Sequence, residues 1–305
     1  MTKLNLSVLG LNRVGISIGM ALAKNSQDIH TVGFDQEKKI KAQVEKRKIF
    51  SATTNSLKDA VQSADVVVIS LPLDEVQVTF KDIATLLINE AMIVYCGWLP
   101  GKVAKWAQEI LPGNVFFTAL TPAFNPKYIK QNQSDEPSAD LFDHSLMFVS
   151  HLPIIPPAVV ETATALTKLL GATPYFSDLL EVDGFQTLTH ILPSIAAAAV
   201  MLEVENEPGW EDARKLAGEN FAYSTLPLDH LMESYDLGQS LLLNGENSLR
   251  IIGNLQAALA QLGTLISEGK SEELKTILEN MIASRNSWLK KRNELAEATE
   301  SKKKK

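Results

Sequence analysis

An alternation of short Val- and Ile-rich runs with helical segments, from Leu4 to about Ser177, is the feature that most restricts the fold of this chain. The run Asp65–Pro72, DVVVISLP, is apolar without a break until it ends at a proline. Such a run is typical of a central strand that is buried on both faces of a sheet. The alternation predicts an α/β fold with a doubly wound, mostly parallel sheet covered by helices on both faces.

Seven strands and six helices are predicted in this first part. The strands are Leu4–Leu9, Ile29–Phe34, Val66–Ser70, Met92–Cys96, Val115–Thr118, Leu146–Val149 and Thr173–Phe176. The helices are Val14–Lys24, Gln36–Lys46, Ser56–Gln62, Asp74–Leu87, Gly101–Ile110 and Pro157–Leu170.

After Asp178 the strand pattern ends, and apolar residues recur three and four positions apart, as on one face of a helix. One stripe comprises Leu249, Ile252, Leu255, Leu259, Leu262 and Ile266, and another comprises Leu274, Ile277, Leu278, Met281, Ile282 and Leu289. The sequence thus predicts three parts: a nucleotide-binding α/β domain over residues 1–178, an all-helical domain over 179–298, and a disordered Lys-rich tail over 299–305.

Composition limits the partners. A net charge of -7 and an isoelectric point near 5.4 argue against nucleic acid as a binding partner, because such partners attract basic surfaces. The single Cys96 excludes an intramolecular disulfide and a cysteine-rich metal site. A chain without disulfides agrees with a reducing compartment, and we expect the cytoplasm. The longest apolar run, Ile191–Leu202, is interrupted by Pro193 and Ser194 and is shorter than a membrane span. We therefore expect a soluble protein with no export signal, no membrane partner and no bound metal.

The segment Leu9–Gly15, LGLNRVG, follows the first strand and opens the first helix, where dinucleotide-binding proteins place a Gly-x-Gly-x-x-Gly turn. Gly10 suits the tight bend and Gly15 suits close packing of helix and strand. Asn12 replaces the middle glycine, but Asn tolerates unusual backbone angles and its amide is able to donate to a phosphate. The turn, including Leu11, Arg13 and Val14, is predicted to bind a pyrophosphate with the N-H groups of the helix start.

Asp35 lies twenty residues after Gly15, at the end of the next strand, where an acidic residue binds the ribose 2′-hydroxyl. Its carboxylate would repel a 2′-phosphate, so the predicted cofactor is NAD rather than NADP. Further cofactor contacts are assigned to Gly97 and to Ser70, Leu71 and Pro72 at the end of the central strand. Alternatively, Ser70, Leu71 and Pro72 only end the strand and do not contact the cofactor.

His190 and Thr121 are the candidates for chemistry. A dehydrogenase needs a base, and His190 begins an apolar helical segment that is able to face the first domain. Alternatively, His190 is a helix residue whose hydrogen bonds are satisfied within the protein and which has no role in catalysis. Thr121 follows a strand at the predicted rim of the sheet, where its hydroxyl is able to bind substrate but makes a poor base.

Nearly the whole chain resembles the prephenate and arogenate dehydrogenase family. The resemblance rests on the ordered motifs GLNRVGISIG, VGFDQEKK, ADVVVISLP, TPAFNP, ADLFDHSLMFVS, LLEVDGFQTLTHILPSIAAAA and WEDARKLAGENFAYST. It implies a Rossmann domain followed by a helical dimerisation domain, an NAD(P) cofactor, a small carboxylate substrate and a homodimer.

The family's polar site residues are changed in this chain. Its catalytic His falls on Thr121, and its two helical-domain histidines fall on Ile191 and Ser194, with His190 one residue displaced. Its substrate-binding Arg falls on Leu226, and a conserved Ser falls on Pro100, two residues before Lys102.

Three hypotheses remain open. The first is an NAD-dependent dehydrogenase that acts on prephenate, arogenate or another small acid. The second is a catalytically silent homologue that binds NAD(P) and dimerises. The third is a dehydrogenase of the wider hydroxyacid dehydrogenase and imine reductase class, whose base would have to be Asp183 or His190.

Overall fold

The computed structural model describes residues 4–26, 28–129, 136–232 and 237–303. Contacts divide the chain into two compact units, Met1–Val182 with Leu278–Lys305, and Asp183–Ile277. The predicted boundaries, 178 and 298, differ because the last helix contributes most of its length to the first unit. Apolar periodicity predicts a helix, but it does not show against which layer the helix packs.

The first unit contains an eight-stranded sheet. The strands are β1 Leu4–Leu9, β2 Ile29–Phe34, β3 Ala52–Thr54, β4 Val66–Ile69, β5 Met92–Tyr95, β6 Phe116–Pro122, β7 Leu146–His151 and β8 Thr173–Phe176. Their order is β3-β2-β1-β4-β5-β6-β7-β8, and every pair is parallel except β6 with β7. The predicted mostly parallel sheet is confirmed. The sequence pattern missed β3, which is only three residues long.

In the described part of the chain, helices alternate with strands as far as β8, and helices without strands follow β8. They are α1 Arg13–Asn25, α2 Lys38–Lys46, α3 Leu57–Val61, α4 Leu73–Ile83, α5 Pro100–Ile110, α6 Pro157–Leu169, α7 Leu179–Gln186, α8 Leu192–Asn206, α9 Trp210–Ala213, α10 Glu219–Thr225, α11 Leu237–Leu243, α12 Gly245–Ser267 and α13 Ser271–Lys303. The predicted helical second half is confirmed.

Strand β4 lies at the centre of the sheet. All four of its residues are at most 2% exposed, because β1 and β5 flank it and helices cover both faces. Since β2 and β3 lie on one side of β1 and β4 lies on the other, the chain reverses its direction of travel across the sheet between β1 and β4. Ligands of open parallel sheets bind at the carboxyl ends of strands at such a switch point.

Helices α7 and α8 are joined by a π-helical turn, Thr187–Ile191, into one helical segment. This segment, Leu179–Asn206, has 28 residues and a mean hydropathy of 1.5 over its most apolar window, so by length and composition it is able to cross a membrane. The run Ile191–Leu202, whose length the sequence expectation considers, is one part of this longer helical segment. Pro193 does not interrupt the segment; it is the second residue of α8, directly after the π-helical turn.

Helix α13 includes residues 299–303, where the sequence analysis predicts a disordered tail. The residues Glu, Ala and Lys that fill this end have high helix propensity, so the helix continues. Residues 304 and 305 of the predicted tail lie outside the described residues.

A polar cluster fixes the segment that follows β6. The carboxylate of Asp140 accepts hydrogen bonds from the Lys127 ammonium, from Tyr128 Oη at 2.7 Å and from Ser138 Oγ at 2.6 Å. The Ser138 backbone N-H donates to Ser17 Oγ on α1 at 3.0 Å. The cluster therefore ties this segment to the helix that follows the glycine turn.

The Asp140 cluster predicts a pH-dependent stability. Burial alone would raise the pKa of Asp140, but the hydrogen bonds from Lys127, Ser138 and Tyr128 and the charge of Lys127 outweigh it and lower the pKa from 3.8 to about 2. A depressed carboxyl pKa stabilises the fold above the ordinary pKa, and this stabilisation is lost as pH falls through the folded pKa. The difference in Tm between wild type and Asp140→Asn should therefore shrink between pH ~4 and ~2. A difference that stays constant over this range in thermal melts would contradict the assignment.

Candidate nucleotide and substrate site

Gly10 occupies the point where β1 passes closest to the end of β4. Its φ is +91°, and a Cβ added there would lie 2.1 Å from the Ser70 carbonyl oxygen and 2.9 Å from Leu71 Cδ2. Its N-H donates to the Phe34 carbonyl at the end of β2 at 3.0 Å. Because any side chain would collide with backbone, only glycine permits this turn.

Gly15 allows α1 to approach the turn. A Cβ at Gly15 would lie 2.0 Å from the Gly10 carbonyl oxygen. Helix α1 therefore begins directly above the carboxyl end of β1, with the N-H groups of Arg13 and Val14 in its first turn. Such N-H groups have no partner inside the helix and are suited to bind a phosphate.

Asn12 has a different role from the predicted one. Its Oδ1 accepts hydrogen bonds from the Gly15 N-H and from Ser70 Oγ, both at 3.0 Å, and its Nδ2 donates to the Ser70 carbonyl at 2.7 Å. The side chain thus caps α1 and joins the turn to β4, and the prediction that its amide is directed at a phosphate is not supported by these contacts. Among the described contacts, the amide is directed at Ser70.

Asp35 lies directly after β2 and supports the turn from the other side. Its Oδ2 accepts from the Leu11 N-H at 2.9 Å, and its Oδ1 accepts from the Glu37 N-H at 2.8 Å. Each carboxylate oxygen has a second lone pair, so these bonds leave acceptor capacity for a ribose hydroxyl. The carboxylate lies where the sequence analysis places the adenosine end of the cofactor.

The segment after β4 closes the turn and begins α4. Ser70 is 2% exposed and bonds to Asn12, while Pro72 precedes the first residue of α4. In the first turn of this helix, burial and the charges of Asp74 and Asp35 raise the pKa of Glu75. Glu75 is therefore close enough to Asp35 to share the electrostatics of the adenosine end.

Gly97 follows β5 and contacts its own strand. A Cβ there would lie 2.4 Å from Tyr95 Oη, which donates to the Trp98 carbonyl at 2.8 Å. The adjacent Cys96 is buried, and burial raises the pKa of its thiol to about 12, so Cys96 is no nucleophile at neutral pH. In the described part of the chain, no group of three or more His, Cys, Asp or Glu residues is arranged to hold a metal.

Thr121 lies near the carboxyl end of β6, half-buried and opposite Phe148 of β7. Three residues later, Phe124 meets two cations. The Arg13 guanidinium lies 5.5 Å from the Phe124 ring centroid, and Arg292 Nη2 donates to the Phe124 carbonyl at 2.9 Å. The glycine turn, the segment after β6 and helix α13 therefore converge on Phe124.

In the second unit, His190 is exposed and lies in the π-helical turn Thr187–Ile191. Surrounding protein nevertheless displaces water from part of the imidazole and lowers its pKa. Neighbouring polar groups bond to one another: Thr187 Oγ1 donates to the Asp183 carbonyl at 2.7 Å, and Asn244 Nδ2 donates to Thr187 Oγ1 at 2.8 Å. His190 is thus presented from a rigid, hydrogen-bonded part of the helix.

Residues 18–153 match the family described as "Prephenate dehydrogenase, nucleotide-binding domain". A curated relative, the cyclohexadienyl dehydrogenase of Zymomonas mobilis, is 22% identical over 152 residues, which is 49% of this chain and half of that protein. Over these residues the chain is similar to the nucleotide-binding domain of the prephenate dehydrogenase family.

Solved structures share this fold over almost the whole chain. Prephenate dehydrogenase from Aquifex aeolicus, in complex with hydroxyphenyl propionate and NAD+, has a TM-score of 0.81 at 19% identity and covers 94% of this chain and 99% of its own. Arogenate dehydrogenase from Synechocystis has a TM-score of 0.75 at 18% identity, with 93% and 100% covered.

The positions that carry polar groups in the prephenate dehydrogenase family have other properties here. Ile191 is fully buried, and Ser194 is 6% exposed and donates to the His190 carbonyl at 2.9 Å. Leu226 is 40% exposed, and Pro100 is buried at the first position of α5. None of these four presents a charged or basic group to a ligand. Within this stretch of α7 and α8, His190 is the exposed histidine.

The contacts of Phe124 with Arg13 and Arg292 are not predicted from the sequence. Phe124 lies in the quoted motif TPAFNP, and this could have drawn attention to it. Arg292 lies in a polar stretch of α13, and no local pattern connects it with a residue 168 positions earlier. Only the packing of α13 in the first unit reveals the contact.

The contacts of Asn12 predict that its substitution affects stability more than cofactor binding. Asn12→Ala should lower the free energy of unfolding by about 0.5–2 kcal/mol, because α1 loses its cap. The dissociation constant of NADH should stay within about threefold, because the amide is directed at Ser70. Denaturant unfolding and fluorescence titration measure these two quantities.

Ser56→Ala is the matched control, since Ser56 caps α3 by accepting from the Asp59 N-H at 3.2 Å. If Asn12→Ala weakened NADH binding tenfold or more while Ser56→Ala did not, the amide of Asn12 would have to contact the cofactor.

Proposed function

We propose that this chain is an NAD-dependent dehydrogenase of the prephenate and arogenate type, which transfers a hydride from a small carboxylate-bearing substrate to NAD+. The observation that carries the proposal is the glycine turn: Gly10 and Gly15 let β1, the end of β4 and the start of α1 approach closely, and Asp35 supports the turn from β2. The similarity of residues 18–153 to the prephenate dehydrogenase nucleotide-binding domain supports the same function, as do the NAD+ and hydroxyphenyl propionate in the Aquifex aeolicus structure.

We propose NAD rather than NADP as the cofactor. The Asp35 carboxylate lies at the end of β2, where it would accept from a ribose hydroxyl and repel a 2′-phosphate. Glu75 supports this choice as a second acidic group near Asp35. Bound NAD+ would supply the hydride acceptor; the first turn of α1 would hold its pyrophosphate and Asp35 would hold its ribose.

We propose His190 as the base and Thr121 as a substrate-binding hydroxyl. The lowered pKa keeps the His190 imidazole neutral at pH 7, so one ring nitrogen is able to accept a proton. The π-helical turn supports the assignment, because an extra residue in a helical turn shifts the register of the side chains around it. His190 would thereby serve where the family's histidine falls on the buried Ile191.

A catalytically silent homologue is the second candidate. Ile191 is buried and Leu226 is apolar, so two polar groups of the family are lost on the helical side. Such a protein would bind NAD(P) and dimerise without turnover.

Purified protein should reduce NAD+ with prephenate or arogenate, and more slowly reduce NADP+, in an absorbance assay. His190→Asn should lower kcat by about 10²–10⁴-fold while NADH binding persists, because general-base catalysis contributes this much. Tight NADH binding by the wild type with no reduction by either substrate would reject this function in favour of the silent homologue.

We also propose that the protein is a cytoplasmic homodimer that contacts neither membrane nor nucleic acid. Within the second unit, several large apolar side chains are exposed, including Leu202 (65%), Leu242 (81%), Leu249 (73%) and Ile266 (66%). Faces of this kind are normally covered by protein or lipid. A second copy would cover both these residues and the apolar segment Leu179–Asn206, whose most apolar 18-residue window is only 22% buried within the chain.

Sedimentation velocity of the full chain should give twice the 33.4 kDa chain mass, without detergent. Leu249→Glu should shift the equilibrium toward monomer, because it places a charge in an apolar interface. Ile154→Glu, at a 95% exposed residue of the first unit, should leave the dimer intact. A wild-type monomer at micromolar concentration, or protein that remains dispersed only in detergent, would contradict the dimer.

A further inference from the structure

Arg292 is a half-buried cation that bonds to no carboxylate among the described residues. In the described part of the chain, its polar contact is the Phe124 carbonyl, at 2.9 Å from Nη2. Burial lowers the pKa of the guanidinium, but an arginine remains charged at neutral pH. A partly desolvated charge without a counter-charge is costly, and a guanidinium has five N-H donors, of which the Phe124 carbonyl uses one.

The carbonyl that holds Arg292 belongs to a fixed piece of backbone. On either side of Phe124, the Ala123 N-H donates to the Leu146 carbonyl at 2.9 Å and the Asn125 N-H donates to the Leu141 carbonyl at 2.8 Å. Asn125 is 4% exposed, and its side chain donates to the Asp140 carbonyl at 3.1 Å. The Arg292 guanidinium is therefore held by this backbone segment, and the Arg292 backbone is part of helix α13.

This anchor lies at the ligand-binding edge of the sheet. Phe124 follows Thr121 by three residues, a span of at most about 10 Å. Its ring contacts Arg13 of the glycine turn, at 5.5 Å from the guanidinium carbon to the centroid. Arg292 of α13 thus contacts the segment that directly follows the strand of the candidate substrate-binding hydroxyl, and the Phe124 ring of that segment contacts Arg13 at the start of α1.

We propose that Arg292 binds the carboxylate of the substrate. The proposal rests on the proposed dehydrogenase function. A planar guanidinium with free N-H groups matches a carboxylate in a two-point contact. The pyrophosphate of the cofactor is the other anion at this edge, so the experiment separates the two.

The test uses full-length protein saturated with NAD+ and titrated with hydroxyphenyl propionate and with its neutral carboxamide. Arg292→Gln keeps an N-H donor for the Phe124 carbonyl but removes the charge. It should weaken carboxylate binding about 10- to 100-fold, leave carboxamide binding unchanged and leave the NADH dissociation constant unchanged. Arg292→Lys should restore part of the loss, and Arg285→Ala, at an exposed position of the same helix, should have no effect.

Equal losses for the carboxylate and the carboxamide, or no loss for either, would overturn the proposal and leave Arg292 as a tie between α13 and the loop. A loss of NADH affinity with unchanged carboxylate binding would overturn it in favour of the pyrophosphate. If the wild type bound NADH but not hydroxyphenyl propionate, the proposed substrate class would fail first, and the role of Arg292 with it.

Discussion

The contact between Gly10 and the Ser70 carbonyl is the constraint on which the nucleotide site depends. With 2.1 Å between that oxygen and a notional Cβ, β1 and the end of β4 approach as closely as a main chain permits. The approach brings the start of α1 over the switch point of the sheet and brings the Asn12 side chain within reach of Ser70. Asn12, in place of the middle glycine of the turn, is therefore compatible with the fold. Its side chain hydrogen-bonds to the carbonyl and the hydroxyl of the buried Ser70, which would otherwise need water as a partner.

The sequence predicted the parts of the fold whose signals are local. An unbroken apolar run identified β4, because a strand that is buried on both faces requires apolar residues throughout. Two glycines with a following Asp identified the turn, because the positive φ at Gly10 and the close approach at Gly15 require glycine. The three-residue β3 carries too few residues to show a period. The direction of the Asn12 amide and the contact of Arg292 with Phe124 depend on chain segments 58 and 168 residues apart, and neither is encoded in a local pattern.

Charge is distributed unevenly along the ligand-binding edge of a chain whose net charge is -7. Asp35 and Glu75 make the end near β2 acidic, while Arg13 and Arg292 meet at Phe124. An acidic end suits neutral hydroxyl groups of a ribose, and a basic end suits phosphate and carboxylate oxygens. In the proposed complex, this polarity would place the adenosine of a dinucleotide toward β2 and would leave the cationic end near β6 for an acid.

The π-helical turn Thr187–Ile191 gives a physical account of the displaced histidine. Neighbouring residues of a helix point about 100° apart, so a one-residue displacement normally turns a side chain away from its target. A π-turn absorbs one extra residue locally and restores the register beyond it. Ile191 fills the core, Ser194 still faces inward, and His190 remains exposed. The helix thus keeps its packing while the exposed histidine sits one position earlier, so the apolar residue at 191 does not by itself argue that a basic group has been lost.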